Sequence, residues 1–349
     1  MNDGADIAAG RFAHHGGRLC VARSLFPDAP QPWIDLSTGI NPTSYPAPRA
    51  SARERNRLPE PTELARLEAV AAAAFNVSDP ARVVATGGTE TVLRLLPYLL
   101  NAAASVIAGP TYGSHADAWS RTGAQPKVVA DADLDTHASK SVKRTVMTVV
   151  NPNSPTGRIL GREQLQSLHD SLHAKDGVLI VDEAYADLEP QHSIADLVGT
   201  ERAPSMLVLR SFGKFYGLGG IRLGFVIASA AFAARLRHLL GDWPVSVDAL
   251  SAGLAAYADH AWAESMRTRI KRASQRLDKL LVAGGMTVVG GTGLYRLARA
   301  PNARARFTQL ISQGILVRPF DYDSTLLRFG LPQSANDWRR LEAALKVQP

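Results

Sequence analysis

Apolar runs that alternate with helical segments between about residues 62 and 240 constrain the fold of this chain more than any other feature. The strand-like runs lie at residues 105–108, 145–150, 177–181 and 206–209. The helical patterns lie near residues 89–100, 112–121 and 161–174. Continuous apolar runs are typical of parallel strands that are buried on both faces. The alternation therefore predicts an α/β fold with a mostly parallel sheet flanked by helices.

The chain beyond Trp243 and Pro244 shows a different pattern. A long helical stretch, about 247–284, is followed by short strand-like segments and further helical patterns. These lie near residues 286–297, 303–313, 315–318, 325–329 and 335–346. We therefore predict a large α/β domain over residues 46–244 and a smaller α+β domain. Residues 1–45 and 245–349 form the smaller domain in this prediction.

The composition argues against several classes of protein. Of the 349 residues, 46% are hydrophobic and 20% are charged, which is typical of a globular protein. No apolar stretch approaches the roughly 18–20 residues needed to span a bilayer. The N-terminal segment carries Asp3 and Asp6 and lacks an apolar core, so no secretory signal is predicted. The single cysteine, Cys20, excludes an intrachain disulfide and favours a reducing, cytoplasmic location.

The net charge of +7 raises the question of a nucleic-acid partner. Basic residues concentrate within 49–57 and again within 267–276. Neither group is accompanied by a helix-turn-helix extension, a zinc pattern or an aromatic RNA-binding signature. We interpret both groups as solvated surfaces that would also attract phosphorylated small molecules. The sequence predicts no nucleic-acid partner, no membrane association and no metal site.

A lysine stands where the apolar run 206–209 gives way to a glycine-rich loop. The segment 211–224 reads Ser-Phe-Gly-Lys-Phe-Tyr-Gly-Leu-Gly-Gly-Ile-Arg-Leu-Gly, which places the lysine at 214. An amine in this position can form an imine with an aldehyde. Ser211 and Arg222 flank Lys214 with side chains suited to an anionic phosphate.

A carboxylate follows the preceding apolar run, just as the lysine follows the run 206–209. Residues 178–181 lead directly into Asp182-Glu183-Ala184-Tyr185. A carboxylate at the end of a strand can pair with a protonated pyridine nitrogen, and Tyr185 can donate a hydrogen bond to a phenolate oxygen. Together with Lys214 and the phosphate ligands, Asp182 points to pyridoxal 5′-phosphate (PLP), which acts as an electron sink.

Three further motifs follow strand-like runs. The segment Gly87-Gly88-Thr89 precedes a helical run, so backbone N–H groups and the Thr89 hydroxyl can approach a phosphate there. Tyr112 follows Gly109-Pro110-Thr111 and can stack on a flat heteroaromatic ring. The loop that contains Asn153 and Ser154 follows the run 145–150, where ligands bind in open α/β sheets.

The order of these motifs resembles that of the class I and II aminotransferases of PLP fold type I, over nearly the whole chain. The motifs are Gly-Gly-Thr, Pro-Thr-Tyr, Asn-x-Pro-Thr-Gly, Asp-Glu-Ala-Tyr, Ser-Phe-Gly-Lys and Gly-Ile-Arg-Leu-Gly. Within the family, the chain is most similar to the branch that holds histidinol-phosphate aminotransferases and threonine-phosphate decarboxylases. The resemblance implies catalytic roles for Lys214 and Asp182. It implies a cofactor site formed by Gly88, Thr89, Tyr112, Asn153, Ser154, Asp182, Tyr185, Ser211, Lys214 and Arg222.

The termini resemble the decarboxylases more than the aminotransferases. The segments around residues 14–19 and 33–42 resemble the entry segment of the cobalamin-pathway decarboxylases. The resemblance implies that His15 and Gly16 contact a substrate phosphate and that Gly39 contacts the substrate. It also implies that Arg318 and Arg328 hold substrate anions.

Three positions depart from the family pattern. Ser154 stands where relatives carry an asparagine that bonds the cofactor phenolate, so either Ser154 acts through water or Asn153 substitutes. Leu58 replaces a tyrosine that reaches the cofactor phosphate of the neighbouring subunit. Gly213 stands where a hydroxyl residue often precedes the lysine, which leaves phosphate binding to Ser211, Arg222, Gly88 and Thr89.

The resemblance implies a homodimer that acts on a phosphorylated amino acid. The expected reaction is decarboxylation of O-phospho-L-threonine to (R)-1-amino-2-propanol O-phosphate for cobalamin biosynthesis. The alternative is an aminotransferase for a phosphorylated or other amino acid such as histidinol phosphate. A catalytically idle PLP-binding scaffold is the third reading, and the intact pair of Lys214 and Asp182 argues against it.

Overall fold

The computed structural model describes residues 10–346. Asp3 and Asp6, on which the prediction of no secretory signal rests, lie outside these residues. The strands are β1 (Ile34–Asp35), β2 (Val83–Thr86), β3 (Ala104–Ala108), β4 (Lys127–Val129), β5 (Thr145–Val150), β6 (Val178–Asp182), β7 (Met206–Ser211), β8 (Gly224–Ile227), β9 (Thr287–Thr292), β10 (Tyr295–Arg299), β11 (Ile315–Leu316), β12 (Arg318–Pro319) and β13 (Leu326–Gly330).

The helices alternate with these strands along the chain, and those near residues 89–100, 112–121 and 161–174 lie where the sequence predicts them. They are α1 (Leu19–Leu25), α2 (Ala52–Arg55), α3 (Pro61–Ala74), α4 (Thr89–Leu99), α5 (Ser114–Ser120), α6 (Leu134–Ser139), α7 (Arg162–His173), α8 (Phe212–Phe215), α9 (Ala230–Leu240), α10 (Val247–Ala258), α11 (His260–Ala283), α12 (Ala303–Ser312) and α13 (Ala335–Lys346). Within residues 10–346, no helix is both long and apolar enough to cross a membrane.

The chain forms two compact units. Among the described residues, the larger unit comprises 45–154 and 158–262, and the smaller comprises 10–44, 155–157 and 263–346. The larger unit contains a seven-stranded sheet of order β2-β8-β7-β6-β5-β3-β4. Six of these strands run in one direction, and β8 runs antiparallel to its two neighbours, β2 and β7. This mostly parallel sheet, flanked by helices, confirms the predicted fold class.

The hydrophobic core of the larger unit forms between the sheet and its covering helices. Alternate residues of the strands supply one layer, because successive side chains of a strand point to opposite faces. These include Val84, Ile107, Val146, Ile180, Leu207, Leu209 and Val226. Helical residues three to four positions apart supply the other layer, among them Val92 and Leu96 of α4 and Ala233 and Leu236 of α9.

The smaller unit contains an antiparallel sheet of order β12-β13-β10-β9 and a separate parallel pair, β1 and β11. Arg318 of β12 and Arg328 of β13 are direct cross-strand partners. Paired residues of an antiparallel ladder lie on the same face of the sheet. The two arginines that the sequence analysis singles out are therefore neighbours.

The helical stretch predicted over 247–284 is two helices rather than one. The helix α10 ends at Ala258, and the Oδ1 atom of Asp259 accepts a hydrogen bond from the backbone N–H of Trp262, 2.9 Å away, at the start of α11. A short carboxylate side chain favours such a helix start over continuation of the previous helix. The prediction of one continuous helix was wrong at this point.

The units also divide the chain at a different place from the predicted boundary at 244/245. Residues 245–262 belong to the larger unit. The reason is the packing of α10 on α3. A Cβ added at Gly253 would lie 2.7 Å from Leu67 Cδ1 and 2.8 Å from Leu223 Cδ2. The absence of a side chain at Gly253 lets α10 approach these leucines closely.

We predict that Gly253→Phe destabilises the larger unit by about 1–3 kcal/mol, because a ring inserted against packed leucines forces the helices apart. Urea unfolding followed by circular dichroism measures the effect. The matched control is Ala258→Phe, at an exposed position of the same helix. Equal unfolding midpoints for the two variants would contradict the tight packing of α10 on α3.

Candidate active site

The carboxyl ends of three adjacent parallel strands bring the predicted cofactor residues of the larger unit to one edge of the sheet. The strands β5, β6 and β7 are neighbours, and Asp182 pairs in register with Val150 on one side and Leu209 on the other. The loop with Asn153 and Ser154 follows β5, and Ser211 ends β7. Ligands bind at this edge in open α/β sheets.

Asp182 is held by a buried histidine. Its Oδ2 atom lies 2.9 Å from the Nε2 atom of His115, and its Oδ1 atom accepts a hydrogen bond of 3.0 Å from the backbone N–H of Ala184. Both side chains are buried, with relative side-chain exposures of 3% for His115 and 7% for Asp182. Two hydrogen bonds at opposite oxygens fix the orientation of the carboxylate.

The sequence analysis missed His115. It lies in the first turn of α5, three residues after Tyr112, and the two rings meet edge to face with centroids 6.1 Å apart. The sequence does show a histidine about one helical turn after the tyrosine that we predict to stack on the cofactor ring. This spacing does not by itself predict a contact with Asp182, because the contact requires α5 to lie beside the end of β6.

A buried ionic network fixes the turn that follows Asp182. Glu183 accepts hydrogen bonds from Arg210 Nη1 (2.9 Å), Ser193 Oγ (2.5 Å) and the Ile194 backbone N–H (2.8 Å). Arg210 also bonds Asp187 through Nη2. Burial alone would lower the pKa of Arg210, but Asp187 and Glu183 hold that pKa above its ordinary value. The guanidinium therefore stays charged beneath the turn.

Lys214 lies in the short helix α8, directly after Ser211 and β7. Its Nζ atom is 5.9 Å from the ring centroid of Tyr185, which is 4% exposed. The residue before the lysine has no room for a side chain, since a Cβ added at Gly213 would lie 2.7 Å from Gly219 Cα. The glycine at 213 is therefore explained by the close approach of the two backbone segments.

Gly88 and Arg222 lie side by side at the start of α4 and form a candidate anion cradle. Gly88 has a φ of +92°, and a Cβ there would lie 2.6 Å from Arg222 Nη2. Arg222 itself has a φ of +59° and donates from Nη1 to the Gly219 carbonyl over 3.1 Å. Thr89 begins the helix, so its backbone N–H adds a donor beside the guanidinium.

Ser211 adjoins this cradle through the sheet. Gly224 of β8 pairs in register with both Ser211 and Thr86. A Cβ added at Gly224 would lie 2.6 Å from the Thr89 backbone nitrogen. Ser211 and Thr89 thus flank the same glycine, and the structure brings together the four predicted phosphate ligands: Gly88, Thr89, Ser211 and Arg222.

Tyr112 and Asn153 are anchored on loops beside Asp182. Tyr112 donates from its hydroxyl to Glu90 Oε2 over 3.1 Å, and burial raises its pKa, so the phenol keeps its proton. Asn153 donates from Nδ2 to the Pro110 carbonyl (2.9 Å) and accepts at Oδ1 from Thr111 Oγ1 (2.6 Å). The amide of Asn153 therefore ties the loop after β5 to the loop after β3.

These residues fit the predicted cofactor. The glycine and guanidinium at the start of α4 suit a phosphate. Asp182 is a fixed carboxylate at the strand edge, and Lys214 presents an amine from the adjacent strand end. Ser154 is 7% exposed and follows the braced Asn153. Among residues 10–346, no group of three or more His, Cys, Asp or Glu side chains is placed to hold a metal ion.

The smaller unit contains the predicted anion-binding residues. Arg328 is 4% exposed, donates from Nη2 to the Ser37 carbonyl over 2.6 Å, and has its Cζ atom 4.9 Å from the Tyr295 ring centroid. Arg318 is 8% exposed and donates from Nη2 to the His14 carbonyl over 3.0 Å. Both guanidinium groups are thus held by backbone carbonyls of the N-terminal segment.

The N-terminal segment packs closely on itself beside these arginines. A Cβ added at Gly16 would lie 2.4 Å from the Ser37 carbonyl oxygen, the same oxygen that accepts from Arg328. The His15 ring lies 4.1 Å from the His14 ring, centroid to centroid. Gly39 follows two residues after Ser37. The structure therefore brings Gly16 to the carbonyl that Arg328 contacts, and His15 directly follows the carbonyl that Arg318 contacts.

The family comparison covers most of the chain. The sequence profile described as "Aminotransferase class I and II" matches residues 31–344. A threonine-phosphate decarboxylase of Sinorhizobium sp is 39% identical over 96% of this chain and 98% of the relative. The threonine-phosphate decarboxylase of Pseudomonas aeruginosa is 35% identical over 95% of this chain and 96% of the relative. A histidinol-phosphate aminotransferase of Paramagnetospirillum magneticum is 30% identical over 80% of each chain.

Solved structures show the same fold at lower identity. Histidinol-phosphate aminotransferase from Sinorhizobium meliloti, in complex with pyridoxal-5'-phosphate, has a TM-score of 0.82 and 19% identity and covers 94% of this chain and 93% of its own. L-threonine-O-3-phosphate decarboxylase from Porphyromonas gingivalis has a TM-score of 0.74 and 18% identity, with 90% and 98% covered.

We predict that Gly88→Ala weakens PLP binding about tenfold, which corresponds to roughly 1.4 kcal/mol. The added methyl would displace Arg222, and alanine is strained at this positive φ. Titration of the apoprotein with PLP, followed by visible absorbance, gives the dissociation constant. The matched control is Gly220→Ala in the neighbouring loop, where a Cβ meets nothing within 4 Å. Equal affinities for the two variants would contradict the anion cradle.

Proposed function

The chain belongs to the class I and II aminotransferase family, and on that premise we propose that it decarboxylates O-phospho-L-threonine. The product is (R)-1-amino-2-propanol O-phosphate, for cobalamin biosynthesis. The observation that carries the proposal is the likeness to two threonine-phosphate decarboxylases over nearly the entire chain. The paired arginines of the smaller unit support it, because this substrate carries both a carboxylate and a phosphate.

The larger unit would hold the cofactor. When bound, PLP supplies a sink for the electrons released as a bond to the substrate α-carbon breaks. Lys214 would hold the aldehyde carbon, and Arg222, Ser211, Gly88 and Thr89 would hold the phosphate. Asp182, oriented by His115, would keep the ring nitrogen protonated, since a nearby anion favours the charged form.

The ring contacts follow from the loops around Asp182. Tyr112 would stack on one face of the ring, and Tyr185 would donate to the phenolate oxygen. The amide of Asn153 already joins two loops, which supports Ser154 as the second contact to that oxygen. In this proposal Asn153 holds the two loops together, and Ser154 contacts the phenolate oxygen of the cofactor ring.

The smaller unit would orient the substrate. Arg328 would hold the carboxylate, Arg318, His15 and Gly16 would hold the phosphate, and Gly39 would contact the substrate. Anchoring both anions fixes the torsion about the bond between the substrate nitrogen and the α-carbon. This orientation selects which bond of the α-carbon breaks. The bond between the α-carbon and the carboxylate breaks, CO₂ leaves, and Lys214 Nζ delivers a proton to the α-carbon.

An aminotransferase is the alternative function. The same residues would serve if Lys214 removed the proton of the α-carbon and the carboxylate stayed in place. The matches to histidinol-phosphate aminotransferases favour this reading less well, because their identities are 28–33% over 66–84% of the chain. The decarboxylase therefore remains the proposed function.

We predict that the purified holoprotein releases CO₂ and 1-amino-2-propanol phosphate from O-phospho-L-threonine without any keto acid. Lys214→Ala should reduce the release to background, because the protein then lacks both the amine that would hold the cofactor aldehyde and the proton donor for the α-carbon. The matched control is Lys143→Ala, which removes an exposed lysine paired with Asp176. Keto-acid-dependent transfer of the amino group, with no CO₂ released, would overturn the decarboxylase in favour of the alternative.

The proposed enzyme is a homodimer located in the cytoplasm, as the family resemblance implies. Leu58 and Trp243 of the larger unit are 60% and 54% exposed in the single chain. Leu58 stands where the family pattern places a residue that reaches the neighbouring subunit, and its exposure leaves it accessible for such a contact. Light scattering of the purified holoprotein should give twice the mass of one chain. A monomeric mass at the concentrations of the activity assay would contradict the dimer.

A further inference from the structure

A tyrosine that the sequence analysis did not single out lies between the two substrate arginines along the chain. Tyr322 belongs to the loop that joins β12, which carries Arg318, to β13, which carries Arg328. Its side chain is 53% exposed, whereas Phe320 in the same loop is 2% exposed. An exposed aromatic residue on a short loop over a buried pair of cations requires an explanation.

The loop links Tyr322 to Arg318 through the ring of Phe320. The Arg318 Cζ atom lies 5.2 Å from the Phe320 ring centroid. The Phe320 centroid lies 5.2 Å from the Tyr322 centroid, with the rings inclined by 49°. Phe320 therefore contacts both the guanidinium and the tyrosine, and the three side chains form a continuous layered group.

The remainder of the loop is braced by Asp323. Its Oδ1 atom accepts hydrogen bonds from the Thr325 backbone N–H (2.9 Å) and the Thr325 hydroxyl (2.5 Å). Its Oδ2 atom lies 3.4 Å from Arg299 Nη2. These contacts fix the backbone directly after Tyr322, so little conformational freedom is lost when a ligand engages the tyrosine.

The phenol of Tyr322 keeps its proton and can act only as a neutral donor or acceptor. Half of the side chain reaches solvent, yet enough chain surrounds it that burial raises its pKa to about 12. Arg318, Asp323 and Arg328 all face the phenol. The two arginines act in the opposite direction, and Arg318 acts more strongly than Arg328. A protonated phenol beside a guanidinium is suited to donate a hydrogen bond to an anion that the guanidinium holds.

We propose that the Tyr322 hydroxyl donates a hydrogen bond to the substrate phosphate held by Arg318, and so determines specificity for phosphorylated over unphosphorylated amino acids. The proposal rests on the proposed function in its choice of substrate. Phosphate is favoured over carboxylate because Phe320 links Tyr322 to Arg318. The guanidinium of Arg328, by contrast, lies against Ser37 and Tyr295.

The test is Tyr322→Phe in the holoenzyme, which removes the hydroxyl and keeps the ring. We expect KM for O-phospho-L-threonine to rise about tenfold, because a hydrogen bond to a charged group is lost, while kcat stays within about twofold. Any residual reaction with L-threonine, which has no phosphate, should keep its kcat/KM. The matched control is Tyr98→Phe, which removes the hydroxyl of a tyrosine in α4 that is 68% exposed.

The pH dependence provides a second measurement. Because the raised pKa keeps the phenol protonated well above neutrality, the ratio of wild-type to variant KM should stay constant between about pH 7 and 9. An unchanged KM for O-phospho-L-threonine overturns the proposal. An equal loss with L-threonine also overturns it, because the hydroxyl would then contact a group common to both substrates.

Calorimetric binding of O-phospho-L-threonine separates this inference from the proposed function. If the wild-type protein releases no CO₂, the decarboxylase is wrong. A tenfold weaker binding by Tyr322→Phe would still support the phosphate contact. Equal binding by the two proteins overturns the contact whether or not CO₂ is released.

Discussion

The buried contact of Arg210 with Glu183 and Asp187 supports most of the candidate site. It lies beneath the turn that begins at Asp182 and ends at Tyr185, and Ser193 completes it. Removing one partner of a buried ionic network leaves an uncompensated charge, which is far more costly than losing an exposed pair. The turn therefore has one arrangement, and Asp182 and Tyr185 keep fixed directions at the strand edge.

The sequence predicted the fold of the larger unit because its strands are continuously apolar and each ends in a distinctive polar motif. The run 145–150 coincides with β5, and the run 206–209 lies within β7. His115 could not be predicted in the same way, since its contact with Asp182 joins residues 67 positions apart. The break at Asp259 was missed because a helical pattern continues on both sides of it.

Position 213 shows how a departure from a family pattern gains a physical reason. In the sequence, Gly213 stands before the lysine at a position where relatives often carry a residue with a hydroxyl group. In the structure, the backbone at Gly219 occupies the space where any side chain at 213 would lie. The same loop carries the Gly219 carbonyl that accepts from Arg222. The loop that excludes a side chain at Gly213 is therefore the same loop that holds the guanidinium of Arg222 against Gly88.

The pairing of β12 with β13 has a consequence for the charge of any ligand. Arg318 and Arg328 are direct partners of an antiparallel ladder, whose Cα atoms are roughly 4.5–5.5 Å apart. Like charges at directly opposed positions of a sheet repel each other and destabilise it. Negative charge bound beside the pair relieves this repulsion. A ligand with two negative charges can balance both cations, whereas a ligand with one leaves an excess of positive charge.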